Sequence, residues 1–198
     1  MSKKKNKKPH HHGNLRAALI QAGTELLDEG GQAALTLRKC AARAGVSHAA
    51  PAHYFSGLGG LLTAIAARGF EIFTATMIAE AEAGGGNPRA RLIAICNGYL
   101  RFARDHEAMF NLMFSSQELE FGDPELRQNS AAAYQVLRQG CAPFASPSGT
   151  ETGTEIMVWS LVHGFAGISR KAQSKPSGHP ARDIRFEDIL PALELKMP

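Results

Sequence analysis

Apolar residues recur along this chain at intervals of three and four, and glycines, prolines and capping residues cut the pattern into helix-length pieces. Leu15, Ala18, Leu19, Ala22, Leu26 and Leu27 share one face of a helix. Gly30 and Gly31 supply its stop. Thr36 is placed to cap a short second helix through Ala44, Gly45 permits a left-handed turn, and Ser47 is placed to cap a third helix. Leu58 to Ala83 read as a long fourth helix carrying Leu61, Leu62, Ile65, Phe73, Met77 and Ile78. Asn87-Pro88 and Asp123-Pro124 each pair a cap with proline at the first helical position, opening one helix through Phe102 and another towards Leu137. Between them, "RDHEAMFNLMFSS" reads as a bend and a short apolar helix. Thr154 to Arg170 form a strongly apolar helix with Trp159, and Phe186 to Leu195 a last short one. Few runs alternate as strands do, and β-branched residues are sparse, so the expected fold class is all-α.

A chain of 198 residues that is 44% hydrophobic can bury a real core. Its cysteines are Cys40, Cys96 and Cys141, an odd, dispersed set without CxxC spacing. That points to reduced thiols in the cytoplasm rather than a disulfide framework or zinc site. No stretch approaches the about 20 apolar residues needed to span a bilayer, and no apolar run follows the basic N-terminus as in a signal peptide. No membrane partner is expected. There is no P-loop, no dinucleotide glycine fingerprint and no G-x-S-x-G elbow, and nothing pairs a nucleophile with a base, so no enzymatic activity and no cofactor are expected. His106 in "HEAMF" lacks the second histidine of a zinc-protease helix.

Charge is uneven. Residues 1–60 hold nine lysine and arginine residues against three acids, a net +6, and the remainder carries −2 of the overall +4. A basic front on a mildly acidic body points to a polyanionic partner for the front. The same region contains "LTLRKCAARAGVSHAAPAHYFSGLGGLL" from Leu35 to Leu62. It reads as two turns of helix, a turn with glycine, and a second short helix, with Ala41 and Val46 small enough to let the two cross closely. In such a unit the second helix enters the major groove and the first crosses the backbone.

These residues resemble the tetracycline-repressor (TetR-type) transcriptional regulators. "HHGNLRAALIQAGTELLDEGG" is similar to their first helix and "ALTLRKCAARAGVSHAAPAHYF" to their helix-turn-helix. "HEAMFNLMFSS" and "MVWSLVHGFAGI" resemble one subgroup, whose Trp-x-x-x-His-Gly segment recurs as Trp159, His163 and Gly164. The resemblance implies a basic arm at 1–13, a three-helix DNA-binding unit at 14–60 and a helical ligand-binding and dimerising body at 61–198. It implies DNA contacts from Thr36, Arg38, Ser47, His48, Ala49, Ala50, His53 and Tyr54, with Phe55 closing the small core. Lys5, Lys7 and Lys8 of the arm, with Lys3 and Lys4, would reach the adjacent minor groove or backbone. The run His10–His12 matches the family's His-His-Gly leaders, so no metal is expected. The chain departs from the family where an aromatic is usual, at Ala52, and where a lysine is usual, near Leu58, in an uncharged "SGLGG". Lost phosphate contacts weaken binding and flatten its salt dependence.

For the body, the resemblance implies an effector pocket, with Phe102, Met109, Phe110, Met113, Phe114, Tyr134, Trp159 and His163 as candidate lining and a small apolar or aromatic ligand. Leu161, Gly164, Phe165, Gly167 and Ile168 suit a close helix–helix interface of a homodimer on a near-palindromic double-stranded operator. The expected function is a cytoplasmic, ligand-responsive repressor. The alternative is a helical small-molecule-binding protein whose DNA-binding head has decayed.

Overall fold

The computed structural model describes residues 15–145, 150, 152–173 and 183–190, and among them all regular structure is helical. Helix α1 (Leu15–Gly30) ends at Gly31, whose φ of 67° only glycine adopts freely. A 3-10 turn (Gln32–Ala34) leads to α2 (Leu37–Arg43), where the Thr36 hydroxyl accepts from the Lys39 amide at 3.2 Å. Helix α2 closes in a Schellman motif. Gly45 has φ 69°, its N–H donates to Ala42, and the Val46 N–H donates to Ala41. Arg43 reaches back to both carboxylate oxygens of Glu29 at 2.6 and 2.7 Å, tying α2 to the end of α1.

The expected third helix differs. Ala50–His53 form a single 3-10 stretch, and Ser47 supplies no side-chain cap. Ser47, Ala49 and Pro51 carbonyls accept from the amides three residues on, at 3.0–3.2 Å. Pro51 has no N–H to donate, and the chain must bury Phe55 within a few residues, so the tighter turn wins over an α-helix.

The long helix is therefore α3 (Gly57–Ala83), the central element of the molecule. It is long and apolar enough to cross a membrane by length and composition, contrary to the sequence expectation, but more than half of that stretch is buried within the protein. Leu61, Leu62, Ile65, Phe73 and Met77 are buried under α1 and two helices that flank α3, α4 (Pro88–Asp105) and α6 (Pro124–Cys141). Helix α4 is capped by Asn87 (2.8 Å to the Ala90 amide) and α6 by Asp123 (2.8 Å to the Leu126 amide), each with proline at the first position. Between them α5 (Glu107–Ser115) packs Met109 and Met113 over Gly69 of α3. Helix α7 (Gly153–Gln173) lies against α4 and α6, and α8 (Phe186–Ile189) sets Phe186 5.5 Å from Phe165, ring to ring. The last helix was expected to reach Leu195, and residues 191–198 lie outside the described ones.

Candidate DNA interface and ligand cavity

The helix-turn-helix exposes Thr36, Arg38, Ser47, His48, Ala49, His53 and Tyr54 together, from the start of α2 and the 3-10 segment. Arg38 has no ion-pair partner among the described residues, whereas Lys39 donates to the Ala34 carbonyl at 3.0 Å and Arg43 is held by Glu29. Ala50 is a correction. It is 8% exposed, packed inward beside Pro51, and its methyl group is not available to a base edge in this conformation. Ala50 and Pro51 are the buried residues of the 3-10 stretch, while Ala52, His53 and Tyr54 are exposed before the chain buries Phe55. Phe55 is buried, with the Arg16 guanidinium 5.9 Å from its ring centre. Lys5, Lys7, Lys8 and His10–His12 lie outside the described residues.

The glycines of "SGLGG" have a structural reason. Ser56, at the start of α3, makes no capping bond to it. Its hydroxyl instead donates to Glu120 Oε1 at 2.6 Å, from the 116–123 segment of the body. The Glu120 amide donates to Thr63 Oγ1 at 2.9 Å, and Thr63 donates to the Gly59 carbonyl at 2.8 Å. A Cβ on Gly60 would stand 2.6 Å from Ser56 Oγ, and one on Gly59 3.3 Å from the Glu118 carbonyl oxygen. The two glycines make room for a strap from the body, whose carboxylate complements the positive end of α3. Two residues beyond the strap, Glu125 meets Arg16 of α1 at 2.5 Å. Nothing periodic in the sequence announces these contacts.

A cavity of about 80 Å³ lies between α3, α4, α6 and α7. Phe73 and Met77 of α3, Ile95, Cys96 and Tyr99 of α4, Ala133, Tyr134 and Leu137 of α6, and Trp159 and Val162 of α7 line it, together with Phe114 and Ser130. Of the candidate pocket residues, Phe114, Tyr134 and Trp159 are among this lining. Phe102, Met109, Phe110 and Met113 are not: each is buried in the core outside this lining. Phe102 packs against Phe73 with the rings tilted and centroids 5.1 Å apart, and the methionines fill the space over Gly69. His163 sits just behind the cavity wall. Its Nδ1 shares a 2.7 Å hydrogen bond with the Tyr99 hydroxyl, and its ring stacks on Phe110 at 5.5 Å. Burial, and then the charge of nearby Arg170, holds the His163 pKa below its ordinary value. Burial pushes the Tyr99 hydroxyl pKa up. The three thiols are buried as well, and burial raises each, Cys141 to about 12.

On α7, Gly164 and Ile168 are exposed and Leu161, Phe165 and Gly167 half-buried. A Cβ on Gly164 or Gly167 would meet nothing within 4 Å, so neither glycine is required by packing within this chain. Ile156 (48% exposed) and Ile168 (56%) flank them on the same outward face.

Comparison with known proteins places both halves. Residues 19–65 match the bacterial regulatory proteins of the tetR family, and residues 92–193, just over half of the chain, match the tetracyclin repressor-like C-terminal domain. No curated protein matches the chain. Among solved structures, a protein of unknown function from Rhodococcus sp. RHA1 is 28% identical over 88% of this chain and 91% of its own, with a TM-score of 0.74. A TetR family transcription regulator from Marinobacter aquaeolei VT8 is 18% identical over 84% and 88%, with a TM-score of 0.60. The TetR-like regulator LfrR from Mycobacterium smegmatis, solved in complex with proflavine, is 18% identical over 82% and 88%, with a TM-score of 0.58. The last two share the fold. With its helix-turn-helix head and its helical body each matched to the same family, the chain belongs to the tetR family of bacterial regulatory proteins and is a DNA-binding transcriptional regulator.

Proposed function

We propose that the protein is a cytoplasmic homodimeric repressor that leaves a near-palindromic operator when a small apolar or aromatic effector enters its body. The observation that carries this reading is the placement of α6. Ala133, Tyr134 and Leu137 of that helix line the cavity, while its first turn is tied to α1 of the head through Glu125 and Arg16. A ligand that enlarges the cavity pushes on the helix that holds the head. To act, it must bind the conformation with displaced heads more tightly than the DNA-bound one.

In this reading residues 1–13 are a basic arm, 14–60 the DNA-binding head and 61–198 the body. Thr36, Arg38, Ser47, His48, Ala49, His53 and Tyr54 meet DNA, and Lys5, Lys7 and Lys8 of the arm follow the backbone. The exposed apolar and glycine face of α7 is the seam between two copies, with Leu161, Phe165 and Ile168 beside Gly164 and Gly167. The Trp159, His163 and Gly164 pattern supports a place in one subgroup of the family. LfrR binds proflavine, a precedent for an aromatic effector within the fold. Sedimentation equilibrium of the full chain tests the seam: a dimer is expected, and a monomer at micromolar concentration contradicts it.

A second reading, a binding protein with a decayed head, draws on one feature. The start of α3 faces the carboxylate of Glu120 and has no lysine near Leu58.

A further inference from the structure

The geometry points to the chemical class of the effector: a single-ring arylalkyl carboxylic acid, its ring in the cavity and its carboxylate at the cavity mouth on Arg127. This rests on the reading of the cavity as the effector site and narrows it.

Three residues connect the cavity to the surface. Ser130, Tyr134 and Trp159 line the inner cavity, and the same three line an open groove of about 780 Å³ between α6 and α7. A ligand therefore passes between the Tyr134 and Trp159 rings, which meet edge to face with centroids 6.1 Å apart. Inside, the walls are almost wholly apolar side chains. Outside, the groove continues along Pro124, Arg127 and Gln128.

Charge at this mouth is one-sided. Glu155 stands beside the gate, but it is buried and already engaged. It accepts the Tyr134 hydroxyl and lies 3.9 Å from Arg138 Nε. Arg127 is exposed in the groove and has no ion-pair partner among the described residues. A guanidinium offers a planar fork of donors that fits a carboxylate with two parallel bonds. An ammonium group in the same place meets like charge, and a hydroxyl gains only a neutral hydrogen bond.

Size sets the other limit. The cavity's volume of about 80 Å³ is smaller than the roughly 150 Å³ of a cavity that takes up benzene. A single ring enters with the least displacement of the gate side chains, and each further ring demands more. A short alkyl linker then carries the acid through the gate.

The chain has one tryptophan, Trp159, and it stands at the gate, so its emission reports entry directly. The test titrates the full-length protein with 3-phenylpropanoate, 3-phenylpropan-1-ol and 3-phenylpropan-1-amine, following Trp159 fluorescence and heat together. The acid is expected to bind at least tenfold more tightly than the alcohol, and the amine most weakly. Arg127→Ala is expected to bring the acid down to the level of the alcohol, and added salt to narrow the gap in the parent protein. Equal affinities for acid and alcohol, or an acid preference that survives Arg127→Ala, overturn the head-group assignment and leave the cavity standing. Heat without a change in Trp159 emission, or no binding by any of the three, overturns the cavity as the site as well.

Discussion

The hydroxyl of Ser56 donates to the Glu120 carboxylate at 2.6 Å across 64 residues of sequence, so the body of the protein grips the first turn of α3 directly. Gly60 makes the grip fit, because a Cβ there would stand 2.6 Å from Ser56 Oγ. Alanine is ordinarily worth about 1 kcal/mol over glycine inside a helix. Gly60→Ala in the parent protein is expected to forfeit that gain or lose stability, since the Ser56 side chain must turn away from Glu120. In a Ser56→Ala background the same change is expected to stabilise by about 0.5–1 kcal/mol. Urea unfolding of the four proteins gives the coupling. Identical effects of Gly60→Ala in both backgrounds would contradict the strap.

Gly98 marks the closest crossing of α3 and α4. A Cβ there would lie 2.7 Å from Met77 Cα and 3.0 Å from the Thr76 carbonyl oxygen, both backbone atoms that cannot rotate aside. Gly98→Ala should cost about 3 kcal/mol, at the upper end of overpacking, despite its better helix propensity. A melting temperature unchanged within a degree would show that the helices have slack the structure does not display.

Much of the helical framework was legible because its signals are local. Thr36, Asn87 and Asp123 each cap the helix that follows within three residues, and Gly45 takes the positive φ its place after α2 demands. What escaped depends on partners far along the chain. The spacing of Phe102, Met109, Phe110 and Met113 marks apolar faces, but not whether the facing element fills the space or leaves a void. The void formed instead where Phe73 and Met77 of α3 meet Tyr99 of α4, Tyr134 of α6 and Trp159 of α7. The Ser56–Glu120 contact joins two exposed polar residues, which leave no periodic trace. The 3-10 form of Ala50–His53 turned on Pro51 and the short distance to buried Phe55, a competition that capping rules alone do not decide.

His163 gives the protein a pH dependence of defined sign. Its pKa in the folded chain lies below the ordinary 6.5, through burial and then Arg170. The unfolded chain therefore takes up this proton more readily, and stability falls as pH drops from about 6.5 through the lowered value, with no change above it. Between pH 7.5 and 5.5 the parent protein should lose more melting temperature than His163→Gln does. Parallel losses in the two proteins would remove His163 as the cause.

Cys40, Cys96 and Cys141 are buried and their thiols held in the protonated form, Cys141 with a pKa of about 12. Thiolate is the reactive species. A disulfide reagent at pH 7.5 should label the native chain slowly and all three cysteines at once after denaturation. A rapid single-site reaction in the native state would mean that one thiol is exposed and activated, as a redox sensor requires.

The central claim, a DNA-binding regulator whose head is governed by its body, is tested most directly by anisotropy of labelled duplex from the region upstream of its own coding sequence. The titration is run with the full chain at 50 and 200 mM salt. Saturable binding at low salt that weakens at high salt is predicted, with His53→Ala weakening it further and a cavity ligand releasing the DNA. Absence of binding at 50 mM salt would contradict the claim and leave a helical binding protein whose head no longer reads DNA.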